Sequence, residues 1–294
     1  MRDKILDLLQ RKGDLPPFPQ ILLELQKLIN DPNCNVDDVN RLIKSDLVLM
    51  GKLIRLSNCV FFGGGREKAN NLEEAIVRLG IKMVLDLCYC VEVPKAFGKP
   101  QAFNQAQFWQ HSLAVGYLSR MLANKLILSN ILKNEPNTID ESFLSGLMHD
   151  IGILVFDYLI PEEFNKFLIA KDISNSDQPM ETLEKLSFGI DHQELGTAFL
   201  QQWWPRVPTM VVEAVALHHR DHIKEGKNIT LTHVVSAANK LANEHGICQP
   251  LMTQYQEELS EDFIHKTGIE NSELALFIDQ TKIGLLAFED IFDS

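Results

Sequence analysis

An all-α fold is predicted by three observations on the 294-residue sequence. Apolar residues recur at three- and four-residue spacing through nearly every segment, the period of one helix face. No run alternates apolar and polar residues as a half-buried strand would. Proline, glycine and asparagine stand where the helical runs stop.

The opening helix runs to near Gly13, and Leu15-Pro-Pro-Phe-Pro19 is an extended lead into the next one. That helix carries Ile21, Leu22, Leu25, Leu28 and Ile29 and stops at Asn30-Asp-Pro-Asn33. A short helix follows Asn35. Another starts with Ser45 as N-cap and turns Leu47, Met50, Leu53, Ile54 and Leu56 inward. Phe61-Phe-Gly-Gly-Gly65 breaks the pattern; with no strand before it and no Lys-Ser/Thr pair, it reads as a flexible connection rather than a phosphate loop. Leu72 to Leu79 is a helix closed by Gly80, and Ile81 to Val93 is another, ended by Pro94.

Ala96 to Gln105, holding Gly98 and Pro100, is the expected hinge between two halves. The second half begins with a helix from Phe108 to Leu128, then a helix through His149 followed by a loop. Asp191 and Glu194 have the spacing of a capping box, which places His192 in the first turn of a further helix. After Pro205 and Pro208, a helix carrying Val211, Val212, Val215 and Ala216 leads into His218-His219, and Thr232 to Asn243 is one more. From Glu270 onward, Leu274, Ile278, Thr281, Leu285, Phe288 and Phe292 form a single stripe. It reads either as packing onto the body or as the seam of a homodimer through the C-terminal helix. The boundaries this implies are residues 1–95, 96–245 and 246–294.

Composition narrows the function. At 45% hydrophobic and 23% charged the chain is globular in character, and its net charge of -12 disfavours nucleic acid and anionic membrane as partners. No uninterrupted apolar stretch reaches the roughly eighteen residues of a membrane helix. The charged opening residues lack the apolar core of a signal peptide, so the expected location is the cytoplasm. Five cysteines, Cys34, Cys59, Cys88, Cys90 and Cys248, lie mostly in helical runs and read as reduced thiols.

The chemistry concentrates in histidine. Five of the nine histidines lie in four short stretches: His111, His149 beside Asp150, His192, and the doublet His218-His219. Imidazoles with a carboxylate suit a divalent ion such as Fe, Mn, Zn or Mg. Two such ions could activate a water and clamp a phosphoryl group.

These residues resemble the HD superfamily of metal-dependent phosphohydrolases, and more closely its HDOD branch, the HD-related output domain of bacterial signalling proteins. The resemblance covers roughly Leu15 to Asn239 and beyond, to Asn243. It rests on Leu15-Pro-Pro-Phe-Pro19, Ile43 to Asn58, Ala75 to Gly80, Trp109-Gln-His-Ser112, Leu147-Met-His-Asp-Ile-Gly152, Asp191-His-Gln-Glu-Leu-Gly196, Ala216-Leu-His-His219 and Ala237-Ala-Asn239. It implies an HD-like helical core preceded by an N-terminal helical subdomain. It also implies metal candidates at His111, His149, Asp150, His192, His218, His219 and Asn239.

The departures bear on mechanism. Catalytic relatives carry an aspartate where Asn239 stands, and the cyclic-dinucleotide branch carries a lysine where Ile153 stands. Neither its Gly-Tyr-Pro signature nor its substrate loop is present: Gly116-Tyr117 precedes Leu118, and Arg220-Asp-His222 follows the doublet. The resemblance therefore implies a non-catalytic signal-transduction output protein acting through contacts with other signalling proteins. The alternative is a phosphohydrolase acting on a nucleotide or cyclic dinucleotide. The histidines would be a hydrogen-bonded polar network in the first case, with or without a metal, and a working metal centre in the second.

Overall fold

The computed structural model describes residues 1–11, 15–58, 68–220, 228–248, 250–251, 258–286 and 288. Expectations placed on Gly13, Cys59, the glycine triplet of Phe61 to Gly65, Asp221, His222 and Phe292 lie outside the described residues. All regular structure among the described residues is helical. The helices fall into two compact units, one of Met1–Pro16 with Lys99–Asp279, the other of Pro17–Gly98 with Gln280–Ser294.

The smaller unit contains α2 (Gln20–Ile29), α3 (Val36–Ile43), α4 (Leu47–Ser57), α5 (Leu72–Leu79) and α6 (Ile81–Phe97). Asn35 caps α3 in a full capping box with Asp38, and Asn71 caps α5 by accepting from the Glu74 amide. Gly80, at φ +80°, ends α5 and starts α6, a left-handed setting that favours glycine. Asn58, just past α4, bonds both the amide and the carbonyl of Ala69.

Two expectations for this unit need correction. The N-cap of α4 is Asp46, whose carboxylate accepts from the Leu49 amide at 2.9 Å, while the Ser45 hydroxyl bonds back to Leu42. The expected inward face also differs at its start: Leu47 is 71% exposed, and Leu49 is buried. Nor does Pro94 end α6. The helix continues to Phe97 and stops at Gly98, because a proline in the last turn forgoes only one ladder bond.

The larger unit is built on α7 (Gln105–Leu128), α8 (Thr138–Met148), α9 (Ile151–Leu159), α12 (His192–Trp203), α13 (Thr209–Leu217) and α14 (Leu231–Glu244). Alongside lie α10 (Pro161–Ala170), α11 (Met180–Phe188), α15 (Glu261–Thr267) and the start of α16 (Asn271–Leu286). The loop expected between His149 and Asp191 is replaced by α9, α10 and α11. Ile151 to Phe156 is apolar and buried all round, so it shows no helical period to read. Phe156, Phe164, Phe167 and Phe188 from these three helices pack ring on ring.

Helix α1 (Arg2–Gln10) belongs to this larger unit rather than to the N-terminal subdomain. Ile5 and Leu9 are buried, Lys4 pairs with Glu163, and Gln202 donates to the Leu9 carbonyl. The tail does not begin a separate part at residue 246. Leu274 and Ile278 join Val234, Val235 and Phe263 in one buried cluster. That half of the C-terminal stripe is therefore occupied by the chain's own core. The run Thr138–Leu159 has the length and composition of a membrane span, yet 89% of its most apolar window is buried inside the fold. Cys34, Cys88, Cys90 and Cys248 are free thiols.

Candidate metal centre

Close backbone contact between helices assembles the site. A Cβ on Gly146 would fall 2.6 Å from the Val115 carbonyl, so α8 lies tight against α7 and brings His149 beside His111. A Cβ on Gly152 would fall 1.9 Å from the His192 carbonyl, so the start of α9 lies tight against α12. Gly196 completes that contact from the other side, where a Cβ would fall 3.0 Å from the Gly152 nitrogen. Both Gly152 and Gly196 stand in the sequence motifs, but their reason is tertiary. His149 and Asp150 occupy the joint between α8 and α9, where the helix is interrupted for two residues.

Four of the five imidazoles are oriented through Nδ1. At the C-terminal ends of α8 and α13 the last carbonyls lack helical partners, and His149 and His218 donate back to them. His149 Nδ1 lies 2.7 Å from the Gly146 oxygen, and His218 Nδ1 lies 3.0 Å from the Val215 oxygen. His111 Nδ1 reaches the Ile247 oxygen at 2.7 Å. A carbonyl can only accept, so these three rings carry a proton on Nδ1 and turn Nε2 toward the site. His192 uses a carboxylate instead: Glu184 Oε2 lies 2.7 Å from its Nδ1 and 2.8 Å from its backbone nitrogen.

The Nε2 atoms converge on Asp150. Its Oδ2 lies 3.3 Å from His149 Nε2 and 3.9 Å from His111 Nε2. Its Oδ1 lies 3.4 Å from His218 Nε2 and 3.7 Å from His192 Nε2. His219 Nε2 stands 3.0 Å from His192 Nε2. Two donor sets result, sharing one carboxylate: His111, His149 and Asp150 on one side, and Asp150, His192, His218 and His219 on the other.

Electrostatics sharpens this geometry. Burial holds His111 and His218 down at about 4, so both are uncharged at neutral pH. Burial also opposes charge on Asp150, but the surrounding imidazoles, His149 first, keep its carboxyl well below the usual range. The Nε2 atoms of His111, His149 and His218 face this buried carboxylate, and none makes a hydrogen bond of good geometry among the described residues. That is the arrangement of ligands around a cation. Burial works against charging His192 as well, yet Glu184 lifts it to about 10.

All seven sequence candidates lie at or beside this cluster. Asn239 lies within hydrogen-bonding reach of His111, and its side-chain oxygen accepts from Asn243 at 3.1 Å. Ile153 is buried in the apolar core. Of the expected network of imidazoles bridging helices, His111 reaches the Ile247 carbonyl and His192 joins Glu184 to His219, while the Nδ1 atoms of His149 and His218 bond within their own helix ends. Two partners escaped the sequence reading. The Ile247 carbonyl carries no sequence signal. Glu184 carries a faint one: it sits midway between Met180 and Phe188, at a position of α11 whose spacing calls for an apolar residue.

Residues 15–221 match the model of the HDOD domain family. An HDOD domain protein of unknown function from Geobacter sulfurreducens has a similar fold, with TM-score 0.71 and 19% identity over 95% of this chain and 87% of that one. A candidate signal transduction protein from Marinobacter aquaeolei VT8 gives TM-score 0.75 at 18% identity, covering 100% of this chain and 66% of that one. A candidate phosphohydrolase from Shewanella amazonensis SB2B gives 0.72 at 20% identity, covering 98% of each. Among curated sequences, an uncharacterized protein of Treponema pallidum (strain Nichols) is 27% identical over 209 residues, 71% of this chain. The chain spans 38% of that relative's length.

Proposed function

This chain belongs to the HDOD domain family, and we propose that it is a signal-transduction output module that holds a divalent metal and acts through protein contacts rather than hydrolysis. The observation that carries the metal is the ring of Nε2 atoms facing the buried Asp150 carboxylate. Imidazole-rich donor sets favour Fe, Mn or Zn over Mg. An ion would be held either by Asp150, His192, His218 and His219 or by His111, His149 and Asp150. When bound, such an ion supplies Lewis acidity and lowers the pKa of a coordinated water.

The chain's own residues argue against turnover. Asn239 is neutral where a catalytic relative has a carboxylate, and its oxygen already serves Asn243. Ile153, buried and uncharged, stands where the cyclic-dinucleotide branch has a lysine to neutralise a phosphate. His111, His149, Asp150, His192 and His218 are each at most 3% exposed, whereas hydrolysis needs an open coordination position. The partners we propose are other signalling proteins. A homodimer through α16 would use the exposed Leu276, Ile283 and Leu286, since Leu274 and Ile278 are buried.

A hydrolase acting on a nucleotide or cyclic dinucleotide is the second reading, favoured by the half-buried His219 at the edge of the four-donor set. Metal analysis of the purified chain, followed by assay of generic phosphoesters with added Mn or Fe, separates the two. Bound metal without turnover is the expected result. Turnover that disappears in His149→Ala and Asp150→Ala would establish the hydrolase, and absence of metal would leave only a polar network.

A further inference from the structure

We infer that the two donor sets are unequal, and that Glu184 makes the His192 side the one that fills, giving one tightly held ion per chain. This rests on the metal reading above and names which half of the centre it concerns.

The inference begins with Glu184 itself. The side chain is fully buried, and one of its oxygens accepts from both the backbone N–H and the Nδ1 of His192. A carboxylate behind a ligating imidazole fixes the ring and strengthens the nitrogen facing the metal. The connection is also braced from outside, where Asp191 caps α12 and pairs with Lys185, the neighbour of Glu184. Asp191 and Glu194 form only half of the capping box the sequence suggested: Glu194 turns instead to Arg2 and Lys185. His192 is thereby held at two points before any ion arrives.

Charge decides the rest. On the His192 side, a divalent ion meets the Asp150 carboxylate as ligand and the Glu184 carboxylate one bond behind, so its two positive charges are matched. On the His111 side the corresponding places are held by neutral groups, the Ile247 carbonyl behind His111 and the Asn239 amide beside it. A second ion there would share a carboxylate already engaged and leave its charge uncompensated in a buried setting, which is costly. The His192 side also offers four donors against three.

The test is titration of the metal-free full-length chain with Mn(II), followed by calorimetry and by electron paramagnetic resonance, with circular dichroism to confirm folding of each variant. One equivalent binding tightly with the six-line signal of an isolated ion is expected. Glu184→Gln, which keeps an acceptor but removes the charge, is expected to weaken that equivalent about 10- to 100-fold. His218→Ala is expected to abolish it, whereas His111→Ala changes it by less than about threefold. Two equivalents of equal affinity with a coupled-ion spectrum would overturn the inference, as would loss of the tight equivalent in His111→Ala rather than His218→Ala. Should Glu184→Gln fail to fold, the contrast between the two histidine variants decides alone. Failure of the wild-type chain to bind Mn(II), Zn(II) or Fe(II) at all would instead overturn the metal reading beneath it.

Discussion

Gly152 and His192 meet backbone to backbone: a Cβ at Gly152 would lie 1.9 Å from the His192 carbonyl oxygen. The obstacle is main chain, so neither side can yield by changing rotamer. Gly152→Ala is expected to push α9 from α12, destabilising the fold by roughly 3 kcal/mol and separating Asp150 from His192. Urea denaturation and metal titration of the variant check this together. A variant of wild-type stability and wild-type metal affinity would show that the contact does not set the site.

Stability of the metal-free chain is expected to peak near neutral pH. Burial holds His111 and His218 at about 4 in the folded state against an ordinary 6.5. The unfolded chain thus binds more protons between these values, and stability falls as pH drops from 6.5 toward 4. His192 acts in the opposite direction. Although burial opposes its charge, Glu184 holds it at about 10, so its contribution is complete below 6.5 and is lost as pH rises through 10. Urea midpoints at pH 4.5, 6.5 and 9 in the presence of chelator read both limbs. A midpoint that rises steadily to pH 9 would contradict the His192–Glu184 pairing.

Added metal is expected to raise stability, and with it the melting temperature, with the logarithm of its concentration, by about 2.7 kcal/mol of unfolding free energy at a hundred times the dissociation constant. Differential scanning fluorimetry with Mn or Zn, reversed by a chelator, measures it. Asp150→Ala should remove the response. A shift of equal size in Asp150→Ala would place the bound metal elsewhere.

Asp157, on the last turn of α9, accepts from the backbone amides of Gln101 and Ala102 at 2.9 and 3.0 Å. It is expected to protect the segment that follows the unit boundary at Gly98. Asp157→Ala should accelerate amide hydrogen exchange at residues 101 and 102 by at least about tenfold, with little change at α14. Unchanged exchange would show that the segment is held by other contacts.

Asn239→Asp adds a carboxylate beside His111 and can keep the bond from Asn243. A second Mn equivalent is expected to tighten about tenfold or more. No change would mean that residue 239 lies too far from His111 Nε2 to serve an ion there.

What the sequence reveals here depends on whether a residue's role is local. His149 and Asp150 are legible because they are adjacent and sit in an ordered series of motifs. Asp191 as the cap of α12 is legible because capping is a three-residue relationship. Glu184 is nearly hidden, since a single carboxylate in an amphipathic helix ordinarily faces solvent. The Ile247 carbonyl is wholly hidden, being backbone positioned by the turn after α14 and 136 residues from His111. The α9 helix goes unseen for another reason: burial on every side removes the polar face that periodicity needs. The Ser45 and Pro94 expectations fail by one turn or less, where capping side chains compete and a terminal proline is tolerated.

The most direct measurement is the metal-to-protein ratio of the purified chain, taken on the same sample as its turnover of phosphoesters with Mn or Fe supplied. About one ion per chain, lost in Asp150→Ala and accompanied by no turnover above buffer, is the expected result. A metal-free chain, or turnover that vanishes in Asp150→Ala, would contradict it.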